Sequence, residues 1–215
     1  MDPHIAEDED LQRLKDWWKK NGSSIIVGVV VGIGAIIGIN GWNYYTDNRD
    51  KTASTLFSEL QQHETEGSLE AVEQIARELR DDFSATPYAA NGALIVAARL
   101  YENGDVDSAR EMLNWTLTNT DDENIEQVAR LRLAYLELGA GNAETALEIA
   151  NVNNPGSYAS HYAELRAAAY SHAGNYDAAI KAYDEAIAAL VPGSTYVDIL
   201  DARKNRLQAQ SQNRN

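Results

Sequence analysis

The sequence contains no cysteine. This absence excludes disulfide bridges, thiolate nucleophiles, CxxC redox chemistry and zinc sites with cysteine ligands. It also excludes a bacterial lipoprotein anchor, which requires a lipidated cysteine. A chain without cysteine is compatible with the cytoplasm and with the periplasm, so this feature does not decide between them.

Recognisable catalytic motifs are also missing. The sequence has no GxSxG elbow, no Walker loop, no GxGxxG after a strand, no SxxK and no HExxH motif. The histidines, His4, His63, His161 and His172, do not stand at metal-ligand spacing. We therefore expect a protein that is not an enzyme and that has no catalytic residues, no cofactor and no metal site.

Residues that favour β-strands are scarce outside residues 25–39, whereas Ala, Leu, Glu and Arg dominate the rest, which favours helices. Basic residues are too few to balance the 33 acidic ones, and the net charge is −15. Residues 1–20 hold six acidic and four basic residues, so the region from Asp47 onward carries 27 acidic and 14 basic residues. Because such a surface repels phosphate backbones, we expect no nucleic-acid partner, although the acidity is also compatible with a saline habitat.

The sequence does contain one long uncharged run, from Asn21 to Thr46. Within it, residues 25–39 are only Ile, Val, Gly and Ala. As a helix, residues 22–42 would be about 31 Å long, enough for a bilayer core of about 30 Å. Aromatic residues that favour membrane interfaces flank the run on both sides: Trp17, Trp18, Trp42, Tyr44 and Tyr45. The pattern predicts a transmembrane helix over residues 22–45.

A cleaved signal peptide and a buried soluble helix are the alternative interpretations. A signal peptide needs a short basic start and a small-x-small cleavage site, whereas this leader holds six acidic residues and the run ends in GINGWNYY. The flanking aromatic residues argue against a buried soluble helix. We expect the segment to be retained as an anchor in contact with membrane lipid.

Basic residues are more numerous before the run than after it. Four precede it, among them Lys19 and Lys20 close to its start, and Arg49 and Lys51 follow it. The positive-inside rule therefore predicts a cytoplasmic segment over residues 1–21. Everything after Asp47 is expected in the periplasm, on the outer face of a Gram-negative inner membrane.

The glycines of the run form two GxxxG pairs, Gly28 with Gly32 and Gly34 with Gly38. Such pairs let another membrane helix approach closely, so these four residues are candidate packing positions. The alternative is that glycine is simply common in membrane helices.

Glycines also recur at a regular interval beyond the run. Gly67, Gly104, Gly141 and Gly174 are separated by 37, 37 and 33 residues, each between two helical apolar patterns. A period near 34 with a turn glycine is typical of tetratricopeptide repeats. The predicted architecture is all-α: a single transmembrane helix, a membrane-exit helix beginning the first hairpin over residues 46–64, and a solenoid of about four hairpins over residues 65–215. Residues 195–210 are the expected C-terminal capping helix.

The first helices of such hairpins line a concave groove that binds peptides or helices. The repeat register places six candidate partner-binding residues there: Leu94, Tyr101, Leu131, Tyr135, His161 and Glu164. The alternative for Leu94 and Leu131 is an ordinary core position.

The order of these parts resembles the YfgM family of proteobacterial inner-membrane proteins. The residues that carry the resemblance are DWWKKNG (16–22), VGVVVGIGAIIG (27–38), TDDENIEQVARLRLAYLEL (120–138) and SHYAELRAAAYSHAGNYDAAIKAYDEAI (160–187). The resemblance covers essentially the whole chain. The order of parts, with DEN and LRLA in the third repeat, makes the resemblance more specific than the repeats alone.

The resemblance implies an ancillary subunit of the SecYEG translocon that links protein export to periplasmic chaperones. It further implies association with the membrane-anchored chaperone PpiD and contact with emerging secretory proteins. The family is also credited with negative regulation of an envelope-stress phosphorelay. A membrane-anchored adaptor for envelope assembly or stress signalling, unrelated to the translocon, is the alternative function.

Overall fold

The computed structural model describes the backbone of residues 3–212 and the side chains of residues 11–212. Over these residues the chain is helical and contains no β-strand, which confirms the predicted all-α class. The helices are α1 (Pro3–Glu66), α2 (Leu69–Phe83), α3 (Pro87–Glu102), α4 (Val106–Asn119), α5 (Glu123–Gly139), α6 (Ala143–Ile149), α7 (Ala159–His172), α8 (Tyr176–Ala188) and α9 (Tyr196–Gln212), with a 3-10 turn at Gly156–Tyr158 before α7.

The chain divides into two units, Met1–Thr52 and Ala53–Asn215. In the first unit the apolar side chains of residues 25–39 are exposed. The described residues contain one helix that is long and apolar enough to cross a membrane. Inside this unit Trp18 covers Gly22, where an added Cβ would lie 3.1 Å from the indole ring. The first unit therefore contains an apolar helix with exposed side chains, and near the predicted membrane interface the ring of Trp18 packs over Gly22.

The second unit is a series of helical hairpins: residues 53–66 with α2, α3 with α4, α5 with α6, and α7 with α8. The turn glycines predicted from the sequence all have positive φ, from 74° at Gly174 to 87° at Gly141. After each glycine the next residue donates its backbone N–H to a carbonyl five residues earlier; from Asp105 to Leu100 this distance is 2.9 Å. The identical turn explains the regular glycine spacing, because only glycine adopts this conformation without strain.

Small and aliphatic side chains fill a core that follows the solenoid in three overlapping clusters. The first joins residues 53–66 to α2, α3, α4 and α5, the second joins α5, α6 and α7, and the third joins α7, α8 and α9. Alanines such as Ala134 and Ala179 are fully buried where helices approach closely. Because α5 and α7 each belong to two clusters, the core continues from one hairpin to the next, as in other solenoids.

Buried hydrogen bonds connect successive hairpins. The hydroxyl of Tyr162 on α7 donates to Oε1 of Gln127 on α5 at 2.5 Å, and both side chains are buried. Nε of Arg110 on α4 donates to Oε1 of Glu137 on α5 at 2.5 Å, and Asn142 donates to the other carboxylate oxygen at 2.7 Å. The ion pair of Arg110 with the buried Glu137 thus joins the second hairpin to the third.

Helix α9 closes the C-terminal end and includes most of the predicted capping segment. Leu200 and Leu207 are its buried residues. Two other residues of α9, Arg203 and Tyr196, donate hydrogen bonds to the buried carboxylate of Glu164 on α7, the latter through its hydroxyl. The cap is therefore held by apolar burial together with one charged contact.

Candidate partner-binding surface

A surface trough follows α3 and α5, the first helices of the second and third hairpins. It consists of two adjoining depressions that share Arg132. We call the first depression the aromatic end, and it is lined by Ala97, Ala98, Tyr101, Glu102, Leu113, Arg132, Tyr135 and Leu136. We call the second the amide end, and it is lined by Phe57, Gln61, Asn91, Leu94, Ile95, Asn124, Ile125, Val128 and Arg132.

Two exposed tyrosines define the aromatic end. Tyr101 is 47% exposed and Tyr135 is 41% exposed. Burial of the hydroxyl region and the neighbouring carboxylate of Glu164 raise the pKa of Tyr135. The hydroxyl of Tyr135 therefore lies toward Glu164 on α7 and Tyr196 on α9, and the exposed part of its ring is available to a partner. A ring that is apolar on its faces and polar at its tip suits a protein-binding surface.

Arg132 lies between the two depressions. Its Nη1 donates to the backbone carbonyl of Leu94 at 2.9 Å, which ties α5 to α3. The carboxylate that lines the aromatic end, Glu102, is paired with Arg99 at 3.1 Å instead. Among the described side chains, no acidic residue forms an ion pair with Arg132. The trough therefore carries a positive charge that the fold does not neutralise.

The amide end combines half-buried apolar groups with amide side chains. The ring of Phe57 packs against Tyr88, with centroids 5.8 Å apart, and Ile95 and Val128 are also half-buried. The amides of Gln61, Asn91 and Asn124 border these apolar groups. Amides offer both donors and acceptors to a peptide backbone, so this end can hold an extended segment as well as an apolar side chain.

The structure brings three of the six predicted partner-binding residues to the trough. Leu94 lines the amide end, and Tyr101 and Tyr135 line the aromatic end. Leu94 is nevertheless only 6% exposed, so it contributes mainly to the floor. Whether these residues touch a partner remains a prediction.

The other three predicted residues lie elsewhere. Leu131 is buried in the second core cluster. His161 is exposed, and its ring lies 6.2 Å from that of Tyr158. Glu164 is 4% exposed and is bonded to residues of α9. Reaching Glu164 would therefore require α9 to move.

Sequence reasoning missed Arg132 and the half-buried Val128. Both lie on the same helical face as Tyr135, three and seven residues before it. This spacing was available in the sequence, and it would have identified them once Tyr135 was chosen. Phe57 had no such signal, because its place beside α3 depends on how the first hairpin packs.

The trough is lined by apolar side chains, phenols, amides, one guanidinium and one carboxylate. Within residues 11–212, His, Asp and Glu side chains form no group that could hold a metal ion. The shared guanidinium, the phenols and the amides can bind and orient a polypeptide. They include no nucleophile paired with a base.

The glycines of the apolar helix are open on their outer sides. An added Cβ at Gly28, Gly32, Gly34 or Gly38 would meet nothing within 4 Å among the described atoms. These positions therefore leave space for another helix, as the GxxxG interpretation requires.

Comparison with known proteins gives a consistent result. A family model described as a tetratricopeptide repeat-like domain matches residues 15–209. A Haemophilus influenzae protein named Ancillary SecYEG translocon subunit is 32% identical over 68% of this chain and 72% of its own length. An Escherichia coli protein of the same name is 27% identical over 87% of this chain and 90% of its own length. A third protein of this name, from Neisseria gonorrhoeae, is 21% identical over 97% of this chain and 100% of its own length.

Solved structures agree on the fold alone. A structure of MamA from Desulfovibrio magneticus RS-1 is 16% identical, with a TM-score of 0.50 over 76% of this chain and 90% of that one. The same family assignment follows from the helical hairpins with their glycine turns and from the sequence matches over most of the chain. The chain belongs to the YfgM family of proteins with a tetratricopeptide repeat-like domain.

Proposed function

We propose that the protein is a non-catalytic ancillary subunit of the SecYEG translocon. The observation that carries this proposal is the similarity, over most of the chain, to proteins from three bacteria that bear this name. The apolar helix supports it, because a subunit of a membrane channel needs an anchor beside that channel. The trough supports it as well, since a helical-repeat domain with exposed tyrosines is suited to holding polypeptide.

The domain then links export to periplasmic folding. In this function the trough engages either the membrane-anchored chaperone PpiD or an emerging secretory chain. The apolar character of the amide end supports a polypeptide partner, because unfolded and loosely folded chains present apolar side chains. The acidic domain surface keeps other regions of the protein from associating nonspecifically with anionic lipid headgroups.

The function requires the N-terminus in the cytoplasm and the repeat domain in the periplasm. The four basic residues before the apolar helix, against Arg49 and Lys51 after it, support this orientation. A C-terminal fusion tests it: alkaline phosphatase should be active and green fluorescent protein should be dark. The reverse pattern would place the trough in the cytoplasm and contradict the function.

The anchor itself is proposed to dock against a membrane helix of the translocon through Gly28, Gly32, Gly34 and Gly38. Replacing Gly32 and Gly38 by Leu should reduce co-purification with SecYEG, because the larger side chains keep the helices apart. Ile33→Leu is the matched control, since it changes an exposed residue of the same helix without adding volume. Equal loss in the control would show that helix packing through glycine is not the cause.

Site-specific photocrosslinking tests the whole proposal. A photoreactive phenylalanine analogue at Tyr101 or Tyr135, in the full-length protein in cells, should crosslink to translocon or chaperone components. The same analogue at Lys181, exposed on α8, is the control. Crosslinks only to envelope-assembly or signalling proteins would instead support the alternative adaptor function.

A further inference from the structure

We propose that the trough selects extended polypeptide segments in which a carboxylate lies next to an apolar side chain, and that Arg132 binds this carboxylate. The inference rests on the proposed function only insofar as the trough binds protein segments. It names the chemistry of the segment, which neither the fold nor the similarity to other proteins specifies.

The first step is the unsatisfied guanidinium. An arginine side chain carries five N–H donors. In the described structure one protein acceptor serves Arg132, the backbone carbonyl of Leu94. The residue is exposed, so its remaining donors face solvent in the trough. They are arranged to receive a planar acceptor such as a carboxylate.

The second step is the contrast with other arginines of the domain. Arg99, Arg110, Arg130, Arg166 and Arg203 each pair with a carboxylate of the chain. Among the described side chains, Arg77, Arg80, Arg132 and Arg206 form no such ion pair, and of these four it is Arg132 that lines the trough. From Asp47 onward acidic residues outnumber basic ones by 27 to 14. Although acidic residues are in excess, Arg132 has no carboxylate partner within the chain. Its charge is therefore complementary to a carboxylate supplied by a binding partner.

The third step is the environment of Arg132. It is the residue common to both depressions, so a segment that follows the trough passes over it. Apolar groups flank it, with Ile95 and Val128 on one side and Tyr135 on the other. A segment bound against these groups would exclude part of the water around the guanidinium, which strengthens its attraction to the bound carboxylate. The same groups provide contacts for the neighbouring apolar side chain.

The occupant is therefore an extended segment with the pattern apolar–acidic–apolar. Its carboxylate pairs with Arg132, its apolar side chains contact Ile95 and the tyrosine rings, and its backbone reaches the amides of Gln61 and Asn124. The side-chain amides can bond to the peptide groups of any sequence, so the selectivity resides in the charge and in the apolar neighbours.

Matched peptides test the inference directly. The probe is a panel of fluorescein-labelled peptide pairs with an apolar Leu/Val/Phe/Ser sequence, in which each position in turn carries Glu or Gln. Fluorescence anisotropy measures their binding to the full-length protein in lipid nanodiscs at low salt. For the best pairs the Glu peptide should bind about tenfold more tightly than its Gln counterpart.

Three variants locate the effect. Arg132→Gln should remove the preference for Glu while retaining the weaker binding of the Gln peptides. Arg132→Lys should keep part of the preference, because the charge remains but the planar donor pair is lost. Arg77→Gln is the matched control, since it removes one positive charge from an exposed position on α2, away from the trough.

Each contrary result overturns a defined statement. Equal binding of Glu and Gln peptides overturns carboxylate selection but leaves the proposed function intact. Absence of binding by every pair, while crosslinks from Tyr101 to the translocon persist, also overturns the inference and not the function. A change in the oligomeric mass of Arg132→Gln would assign the trough to contact between copies of this chain and overturn the inference.

Discussion

The hydroxyl oxygen of Tyr101 lies 2.9 Å from the point where a Cβ atom on Gly139 would stand. Tyr101 lies near the end of α3 and Gly139 is the last residue of α5, so this contact joins the second and third hairpins. The missing side chain at position 139 lets the phenol lie over the end of the neighbouring helix. The orientation of an exposed ring in the trough thus depends on a glycine that is not among the lining residues.

Gly139→Ala should displace the Tyr101 ring from this position. An alanine methyl group cannot stand 2.9 Å from the hydroxyl, and the end of a side chain moves more easily than a helix backbone. Alanine would otherwise be expected to stabilise a helix relative to glycine by about 0.5–1 kcal/mol. We therefore expect little net change in the free energy of unfolding measured by urea denaturation.

A double-mutant cycle separates these two effects. Tyr101→Phe removes the hydroxyl, so Gly139→Ala in that background should stabilise the protein by the full value of about 0.5–1 kcal/mol. Strict additivity of the two substitutions would mean that the hydroxyl does not restrict position 139. Photocrosslinking from Tyr135 should also decline in Gly139→Ala, because the displaced ring changes the aromatic end.

The buried hydrogen bond between Tyr162 and Gln127 should contribute measurably to stability. Tyr162→Phe leaves Oε1 of Gln127 buried without this donor, and the expected loss is about 1–3 kcal/mol in the free energy of unfolding. Tyr158→Phe is the matched control, since that ring is half-buried on the turn before α7. If both substitutions lower the free energy of unfolding by the same amount, the hydrogen bond between Tyr162 and Gln127 does not account for the loss.

Glu137 should make the stability of the domain depend on acid pH. The hydrogen bond from Arg110, and a weaker one from Asn142, lower the pKa of this buried carboxyl below its ordinary value of 4.5, against the opposing effect of burial. A lowered folded-state pKa stabilises the fold above the pKa of the unfolded chain. This contribution is lost as the pH falls from about 4.5 through the lower folded-state pKa.

Thermal unfolding at pH 7 and at pH 3 measures this effect. Glu137→Gln should lower Tm at pH 7 and reduce the difference in Tm between the two pH values. Asp107→Asn is the control, because Asp107 bonds to the same arginine but its side chain is 93% exposed. An equal change in the control would assign the pH dependence to exposed charges rather than to the buried pair.

The sequence was sufficient for the fold because its informative features are local. The positive φ at Gly104 and Gly174 follows from turns made by a few consecutive residues, and their spacing reveals the repeat. The apolar run is equally local, since its length and composition alone indicate a membrane helix. Neither feature depends on which hairpin packs against which.

The candidate site was predictable only in part, because exposure depends on packing between elements. Tyr101 and Leu131 were both candidate partner-binding residues, with an ordinary core position as the alternative for Leu131. Tyr101 is exposed, whereas Leu131 is buried in the second cluster. The fate of Glu164 depended on α9, whose Arg203 lies 39 residues further along the chain. Such distant partners leave no periodic signal in a single sequence.

The pairing of Glu164 with Arg203 should control how firmly α9 is attached. Arg203→Ala leaves the buried carboxylate with the hydroxyl of Tyr196, which is 3.1 Å from both oxygens. Because the Arg203 side chain is 49% exposed, solvent screens the pair, and we expect a loss of only about 1 kcal/mol in stability.

Hydrogen exchange should nevertheless become faster throughout α9, because the end of a solenoid opens locally before the rest. Arg206→Ala, at an exposed position on the same helix, should leave exchange unchanged. Unchanged exchange in Arg203→Ala would mean that burial of Leu200 and Leu207 alone holds the cap in place.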